Sequence, residues 1–363
     1  MAKYRIAWLP GDGIGNDVLD ATKIVLDRIK LDAEYVHGDI GWEFWCKEGE
    51  PFPERTIDMM KHTDCAMFGA ITSKPRAIAD TELAAHLRNK GYVYRSPIVR
   101  MRQMFELYIC KRPCYAFPDN PLNYKEGIDL VIFRENTEDL YSGVEFHPAP
   151  EELFKLKGME RVSRDAAISF KINTPRGCER IIKAAFEFAK DKGRKKITCV
   201  HKANVVRATD GLFLEIFHKT ASAYPEIGSD DANVDSLCQW LLKRPHDYDV
   251  LVAPNLYGDI ISDLCAQMTG GLGFGSSGNI GDDYAVFEPT HGSAPKYAGM
   301  YKVNPIATIL AAKMMLEWLG ESESAKAVAD AIAAVISEKK VRTYDMGGNA
   351  TSLEMAEAIA SKC

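Results

Sequence analysis

Short apolar runs alternate along this chain with longer stretches in which apolar residues recur every three or four positions. The short runs end in charged or turn-forming residues and predict β-strands; they cover residues 4–9, 65–71, 130–133, 197–200 and 250–253. The longer stretches predict amphipathic helices, and the clearest cover residues 18–29, 178–190 and 304–319. Strands that alternate with helices predict an α/β fold whose sheet is largely parallel and carries helices on its faces.

One segment departs from this pattern. Between residues 146 and 169 the chain is rich in proline, glutamate and lysine and has no apolar period. Such a segment is typical of a surface loop, and it also fits an arm that packs against a partner subunit. The chain has 363 residues, which predicts two domains or an interleaved pair, since domains average about 100–200 residues.

The composition is that of a globular protein and excludes some partners. Apolar residues make up 46% of the chain and charged residues 26%, a balance that allows a sizeable core. The formal net charge of −6 argues against non-specific binding to nucleic acid, and no apolar run reaches the roughly 18 residues of a membrane span. Nine scattered cysteines without a metal-binding spacing predict core thiols in a reducing compartment. Because the first strand begins without a leader-like segment, we expect a cytoplasmic protein, with a matrix protein whose leader is absent from this sequence as the alternative.

A glycine-rich turn, from Gly11 to Gly15, follows the first strand. Its spacing is GxGxG, whereas dinucleotide-binding Rossmann folds need GxGxxG and an acidic residue about 20 positions later. No convincing acidic residue stands there at a strand end. A tight structural turn is therefore favoured over a phosphate-binding loop.

Asp259 and Asp263 are the strongest candidates for a metal site. On a predicted helix this spacing of four projects both carboxylates from one face, and hard divalent cations such as Mg²⁺ or Mn²⁺ prefer oxygen ligands. Two such aspartates alone are more often a solvated helix face, but Gly258 and the apolar residues around the pair argue against an exposed position. Asp235 is a candidate for a third carboxylate.

Three arginines predict a site for anions. Arg102, Arg112 and Arg134 lie in or beside apolar stretches, where a guanidinium needs an acidic partner or an anionic ligand. Each alone would be assigned to an internal ion pair, but together they favour a polycarboxylate site. Tyr141 and Lys202 complete the set, since either side chain relays protons if nearby cations lower its pKa.

A glycine-rich stretch over residues 270–281 leads into the segment 288–297. Glycines at this density allow backbone amides to approach a ligand closely. A flexible surface loop is the alternative, but the rigid sequence PTHGSAP that follows favours a fixed pocket wall.

Four motifs in chain order resemble those of the β-decarboxylating dehydrogenases, the family of isocitrate, homoisocitrate and 3-isopropylmalate dehydrogenases. They are PGDGIG at 10–15, FRENTEDLY at 133–141, NLYGDIISD at 255–263 and HGSAP at 291–295. The resemblance implies a two-domain α/β fold of the isocitrate/isopropylmalate dehydrogenase type, which is not a Rossmann fold. It places a large cofactor-binding domain at 1–107 and 270–363, a small domain with the dimer interface at 108–138 and 175–269, and a clasp-like arm at 139–174.

The same resemblance assigns roles to the candidate residues. It makes Tyr141 the acid that protonates the enolate after decarboxylation, and Lys202 the group that assists hydroxyl deprotonation in the neighbouring subunit. Asp235, supplied across the interface, is implied both in catalysis and as a metal ligand beside Asp259 and Asp263. The residues implied in substrate binding are Ser96, Arg102, Arg112 and Arg134. A homodimer or higher homo-oligomer with shared active sites is therefore expected.

The substrate is predicted from the segment after Ser96. Isopropylmalate enzymes carry leucines there, and common bacterial isocitrate enzymes carry a serine followed two residues later by asparagine; here Ile98 stands at the second position. Flanking segments at 108–113 and 142–146 resemble isocitrate dehydrogenase, which we expect, with homoisocitrate or 3-isopropylmalate dehydrogenase as alternatives. A non-catalytic regulatory subunit of a hetero-oligomeric dehydrogenase is an alternative of another class. The insertion at about 74–90 either covers the site or lies on the surface.

Lys296 bears on the choice of cofactor, because NAD-dependent relatives have an aspartate there that accepts hydrogen bonds from the ribose hydroxyls. A lysine only donates and suits the 2′-phosphate of NADP. Tyr297 and Tyr344 also fit NADP, whereas Gly348 does not, since bacterial NADP enzymes have an arginine there. We therefore expect NADP, with NAD as the alternative. The residues implied in cofactor binding are Thr72, Asn204, Glu288, His291, Gly292, Lys296, Tyr297, Val303, Asn304 and Tyr344.

Overall fold

A ten-stranded mixed sheet is the centre of the fold in the computed structural model, which describes residues 2–363. The strands of this sheet and of a small ribbon are β1 (Tyr4–Gly11), β2 (Ala33–His37), β3 (Cys65–Ala70), β4 (Ile109–Tyr115), β5 (Asp129–Glu135), β6 (Glu145–Phe146), β7 (Ile168–Ser169), β8 (Lys196–His201), β9 (Gly228–Asn233), β10 (Val250–Ala253), β11 (Ser276–Ile280) and β12 (Ala285–Pro289). The helices are α1 (Gly15–Arg28), α2 (Trp42–Glu48), α3 (Glu54–Met60), α4 (Arg76–Glu82), α5 (Pro97–Met104), α6 (Pro175–Lys192), α7 (Thr209–Ala221), α8 (Val234–Lys243), α9 (Asn255–Met268), α10 (Ile306–Trp318), α11 (Ser322–Glu338) and α12 (Ser352–Ala360).

The strands of the large sheet follow the order β2-β1-β3-β12-β11-β4-β5-β10-β8-β9. Among the described residues, six of the nine neighbouring pairs are parallel, and the three that involve β11 and β4 are antiparallel. The predicted α/β fold is confirmed. The parallel pairs lie in two groups at the sides of the sheet, β2-β1-β3-β12 and β5-β10-β8-β9, and its centre is antiparallel. The turn from β11 to β12 is too short for a crossover helix and so produces an antiparallel pair.

Three parallel strands bring their carboxyl ends to one edge of the sheet. They are β5, β10 and β8, which lie side by side in register. The segments that leave these ends lead to Tyr141, to the start of α9 and to Lys202. Polar residues far apart in sequence therefore meet beyond this edge.

The predicted strands and helices are all present, with ends shifted by a few residues. Strand β9, in contrast, is not predicted by the apolar pattern. Its sequence GSDDAN is polar, and it pairs only with β8 at the edge of the sheet, where one long side remains solvated.

The apolar core falls into separate clusters. The largest is built from β1, α1, β12 and the helices α10–α12, so it joins both ends of the chain. Two others are built from the middle of the chain, one between α6, α7 and the sheet and one between α8, α9 and the sheet. This grouping agrees with one domain from both chain ends and one from the middle; the exact boundaries stay a prediction.

The predicted arm contains regular structure. Strands β6 and β7 form an antiparallel ribbon within residues 139–174, and a short 3₁₀ helix lies between them. Its packing against a partner subunit stays a prediction. The insertion packs on α2, where the indole of Trp45 donates a hydrogen bond to the carbonyl of Ala79 at 2.9 Å.

All nine cysteines are free thiols and six of them are buried, in agreement with the prediction of core thiols for those six. Among the described residues, every helix lacks the length or the apolar character needed to cross a membrane.

Candidate active site

Two of the predicted arginines lie side by side on the sheet. Strands β4 and β5 are antiparallel, and their register pairs Cys110 with Arg134. Arg112 is two residues from Cys110, so it projects from the same face as Arg134. Both side chains are buried, with 1% of Arg134 and 7% of Arg112 exposed. Two buried guanidinium groups on one face require anionic partners.

Helix α9 supplies these partners. Asp259 and Asp263 both approach Nη1 of Arg112 at 3.2 Å, and Ser262 lies 2.7 Å from the same nitrogen. Asp259 also forms an ion pair with Nη1 of Arg134. The helix comes this close because residue 258 is glycine: a Cβ there would lie 2.6 Å from the Cβ of Arg134.

Tyr141 joins this cluster through Asp259. Its hydroxyl donates to Oδ2 of Asp259 at 2.5 Å, and the guanidinium of Arg134 lies 5.0 Å from the centre of its ring. Burial and the hydrogen bond to Asp259 raise the pKa of Tyr141. The role predicted for Tyr141 required nearby cations to lower its pKa. The structure contradicts this, because burial and the carboxylate of Asp259 outweigh the nearby arginines. A raised pKa keeps the phenol protonated, as an acid requires.

The two aspartates differ in their electrostatics. Burial disfavours the ionised form of Asp259, but Arg134, Arg112 and Arg102 outweigh it, so the pKa of Asp259 is lowered. The pKa of Asp263 is raised, because partial burial and the charge of Asp259 outweigh Arg112. The side chain of Asp263 is still 56% exposed, so the expectation of a position away from solvent is wrong for this residue. Arg112 and Arg134 act on Asp259 by direct contact, and Arg102 acts on it only through its charge.

Arg102 approaches from α5 and is held by a buried amide. Its Nε donates to Oδ1 of Asn279 at 2.9 Å, and its Nη2 lies 3.1 Å from Oε1 of Glu288. Asn279 donates in turn to Glu288 at 2.7 Å. Asn279 was not among the predicted residues, and its position in the polar β11 sequence SSGNI carries no signal that marks it.

The carboxylates of Asp259 and Asp263 converge on one atom, and oxygen donors of this kind suit Mg²⁺ or Mn²⁺. The predicted third ligand, Asp235, is not with them. It lies at the start of α8 and pairs with Nζ of Lys202 at 2.5 Å. Within residues 2–363 no cluster of three or more potential metal-binding side chains occurs. The oxygen donors therefore fit the metal, but one chain brings together only two of the three predicted carboxylates.

Beyond α9 the chain forms a cavity of about 480 Å³, a size typical of small-molecule sites. Gln267 follows Asp263 by four residues on α9 and lines this cavity, so one face of the helix leads from the arginines to the cavity. The glycine-rich segment contributes Gly270, Gly271 and Gly273 to its wall. Six of the predicted cofactor residues also line it: His291, Gly292, Tyr297, Val303, Asn304 and Tyr344.

His291 offers an unused acceptor in this cavity. Its Nδ1 lies 3.0 Å from the carbonyl oxygen of Gly292, which places the proton on Nδ1, and its Nε2 is buried without a hydrogen-bond partner. An orphaned ring nitrogen among glycines fits a nucleotide that carries hydrogen-bond donors. The cavity residues thus fit a nicotinamide dinucleotide.

Replacing His291 by Asn should flatten the pH dependence of stability. Burial lowers the pKa of His291 below its ordinary value of 6.5, so below that pH the unfolded state binds a proton that the folded state does not. The contribution of the neutral imidazole to the free energy of unfolding is therefore fully present above pH 6.5. It decreases as the pH falls from 6.5 towards the pKa of His291 in the folded state. Urea unfolding at about pH 7.5 and about pH 5.5 measures this loss. An equal loss in the variant would contradict a lowered pKa of His291 in the folded state.

The remaining predicted residues lie around the cavity or away from it. The hydroxyl of Thr72 is 2.6 Å from that of Ser293, next to the cavity wall, and Ser96 precedes α5. Asn204 is exposed in the segment that carries Lys202, so the structure does not bring it to this cavity. The glycine turn is used for close packing: a Cβ at Gly13 would lie 2.1 Å from the carbonyl oxygen of Ser293.

One cation beside two aromatic residues of the cavity wall was not predicted. The Nζ of Lys302 lies 5.4 Å from the ring centre of Tyr297 and 5.2 Å from that of Tyr344. Lys296 lies over Tyr297 at 4.8 Å, so two ammonium groups flank the aromatic pair. Gly348 has no room for the expected arginine, since a Cβ there would lie 2.1 Å from the carbonyl oxygen of Arg342.

Buried arginines, paired carboxylates and an adjoining glycine-lined cavity on a mixed sheet are the features of an α/β enzyme for small anionic substrates. The chain belongs to the isocitrate/isopropylmalate dehydrogenase family, whose model matches residues 5–360. The resemblance and the fold class expected from the sequence are therefore confirmed. The members of this family are β-decarboxylating dehydrogenases that use NAD(P) and a divalent metal.

The similar proteins have different names, and two of them are named for different substrates. The chain is 38% identical over 364 residues to protein DlpA of Legionella pneumophila, covering 99% of this chain and 58% of that protein. It is 40% identical over 365 residues to homoisocitrate dehydrogenase of Methanocaldococcus jannaschii, covering 98% of this chain and 96% of that protein. The crystal structure of isocitrate dehydrogenase from Methylococcus capsulatus superposes with a TM-score of 0.87 at 37% identity, covering 99% of both chains.

Proposed function

We propose that this protein is an isocitrate dehydrogenase that oxidises and decarboxylates isocitrate to 2-oxoglutarate with NADP and Mg²⁺ or Mn²⁺. The pairing of two buried arginines, Arg112 and Arg134, with Asp259 carries the proposal, and the charge of a third, Arg102, also acts on this carboxylate. A cluster of this charge suits a substrate with several carboxylates, because each guanidinium binds a carboxylate through two hydrogen bonds. Asp259 partly neutralises the arginines in the structure described here.

The residues divide the work of the reaction. Arg102, Arg112 and Arg134 hold the substrate carboxylates, and Asp259 and Asp263, with Asp235 of a second chain, would hold the metal. When bound, the metal would supply a Lewis acid for the 2-hydroxyl and the later ketone, and the nicotinamide would supply the hydride acceptor. Lys202 of the second chain takes part in removing the hydroxyl proton. The protonated phenol of Tyr141 then gives its proton to the carbon from which carbon dioxide has left.

Isocitrate is distinguished from its alternatives by one assay. The purified protein would be tested with isocitrate, homoisocitrate, 3-isopropylmalate, tartrate and malate against both cofactors, with Mg²⁺ and with a chelator, by following the absorbance of the reduced nicotinamide. We expect the highest kcat/KM with isocitrate and no turnover with the chelator. Homoisocitrate is the second candidate, since Ile98 replaces the asparagine of common isocitrate enzymes and a relative is named for that substrate. A folded protein that binds isocitrate without turnover would instead support a regulatory subunit.

The preference for NADP is supported by the cations at the cavity. Lys296 and Lys302 flank Tyr297 and Tyr344, and ammonium groups donate to a 2′-phosphate while they offer no acceptor to ribose hydroxyls. Gly348 contributes no side chain. We therefore propose that the two lysines replace the arginine expected at that position.

The variant Lys296→Asp should shift the cofactor preference towards NAD. It removes one donor to the 2′-phosphate and adds an acceptor for the ribose, so the ratio of kcat/KM for NADP over NAD should fall by about 10–100-fold. Lys326→Asp is the control, since Lys326 pairs with Asp330 on the exposed side of α11. A wild-type kcat/KM at least about tenfold higher for NAD than for NADP would refute the proposed preference.

The proposed homodimer follows from the separation of the site into two groups. Lys202 pairs with Asp235, whereas Tyr141 pairs with Asp259, and among the described residues no ion pair or hydrogen bond joins the two groups. Exposed apolar side chains lie near both, and Trp240 on α8 and Ile260 on α9 are 41% and 52% exposed. A second copy would cover these side chains and complete the metal site.

A further inference from the structure

A half-buried lysine, Lys171, has no part in the proposed reaction. Lys171 enters from the last residues of the predicted arm, and only 15% of its side chain is exposed. It forms an ion pair with Asp210, approaches Asp139 at 3.8 Å and lies 4.3 Å from the ring centre of Tyr257. Asp210 and Asp139 are 0% and 1% exposed, and among the described residues Lys171 is the cation that pairs with both buried carboxylates.

Asp210 connects Lys171 to the segment of Lys202. The second oxygen of its carboxylate accepts a hydrogen bond from the backbone N–H of Lys202 at 2.7 Å. The carbonyl of Lys202 then accepts from the N–H groups of Val205 and Val206 at 2.9 and 2.8 Å. The turn that presents the Lys202 side chain is thus held at its first residue by a carboxylate that needs Lys171 for charge balance.

Asp139 connects Lys171 to the segment of Tyr141. Its carboxylate accepts from the N–H of Leu256, in the first turn of α9, at 2.9 Å, and its own N–H donates to the carbonyl of Ile172 at 2.7 Å. Its backbone has φ 68° and ψ −146°, a region that residues other than glycine rarely adopt. Asp139 lies two positions before Tyr141, and its strained backbone is maintained only by its surroundings. Lys171 is one of the groups around its carboxylate.

We propose that Lys171 is a positioning residue that holds the Lys202 turn and the Tyr141 loop in one arrangement. This inference rests on the proposed function, under which the two side chains act in different active sites of the dimer. Lys171 therefore links the Tyr141 loop, which serves the active site of its own chain, to the Lys202 turn, which serves the active site of the partner subunit. It contacts none of the arginines that bind the substrate.

The test compares Lys171→Met with Arg194→Met. Arg194 bridges Asp129 and Asp249 at 2.7 and 2.9 Å, at the amino ends of β5 and β10 and so at the opposite edge of the sheet. Lys171→Met should lower kcat at least about tenfold with the isocitrate KM within about twofold, because misplacing reacting groups by about 1 Å costs on the order of 100-fold in rate. Arg194→Met should leave kcat within about twofold, even if it lowers Tm as much as Lys171→Met does. Lys171→Arg, which retains the charge, should recover part of the lost kcat.

Hydrogen exchange provides a readout that does not depend on activity. Peptides covering residues 201–207 should exchange faster in Lys171→Met than in Arg194→Met, because the N–H of Lys202 loses a fixed acceptor. If Lys171→Met does not fold, Lys171→Gln is measured in the same two ways. A wild-type protein without turnover would refute the proposed function. The exchange experiment would still test whether Lys171 holds the Lys202 turn. Equal kcat and equal exchange in the two methionine variants would overturn the role of Lys171.

Discussion

Dimers reassembled from equal amounts of the Tyr141→Phe and Lys202→Met proteins should recover turnover that neither protein has alone. Each substitution removes a proton-transfer group, which costs about 10²–10⁴-fold in kcat. If Lys202 serves the neighbouring site, a mixed dimer has one site that lacks both groups and one that is intact. Half of the random dimers are mixed, so the preparation should reach about a quarter of the wild-type rate.

The structural basis of this expectation is the pairing within one chain. Lys202 contacts Asp235, and Tyr141 contacts Asp259. The two proteins would be unfolded together, refolded and assayed with isocitrate, and the parents mixed without unfolding serve as the control. Calorimetry of Lys202→Met should show isocitrate binding close to wild type, since the arginines are unchanged. Mixed dimers that form, as seen by native mass spectrometry, but show no recovered turnover would refute the shared site.

Asp259→Asn should abolish metal-dependent turnover and also destabilise the protein. Loss of a metal ligand removes several kcal/mol of transition-state stabilisation, or on the order of 1,000-fold in kcat. The same change leaves Arg134, 1% exposed, without its carboxylate partner. Breaking a buried ion pair on one side costs about 3 kcal/mol. Turnover with Mn²⁺ and urea unfolding measure the two effects.

Asp263→Asn is the matched control for stability. Its side chain is 56% exposed and, among residues 2–363, forms an ion pair only with Arg112, which retains Asp259. Its loss should cost less than about 1 kcal/mol in the free energy of unfolding, as for other exposed ion pairs, while turnover should still be lost. If Asp263→Asn destabilised the protein more than Asp259→Asn, the described pairing of the arginines would be wrong.

The elements that the sequence predicted well are those with strong periodicity. The all-buried strand β3 and the long helix α6 have patterns that a short window reveals. Strand β9 was missed because GSDDAN has no apolar period, and its pairing with β8 is a long-range contact. The antiparallel centre was missed for a similar reason, since strand direction depends on the connections between strands. The raised pKa of Tyr141 depends on a contact with Asp259, 118 positions away.

The sequence by itself determined the α/β class, the family and the residue types that could carry the chemistry, because periodicity and short motifs are local properties. Only the tertiary structure decided how these residues pair: that Asp259 meets Arg112 and Arg134, and that Asp235 meets Lys202 instead of the other two carboxylates. It also revealed Lys171 and Lys302, which no motif marks. The physical reason is that charge pairing and burial depend on distances in space between segments far apart in the chain. The proposed metal site, which two aspartates one turn apart first indicated, therefore has two of its three predicted carboxylates together within one chain.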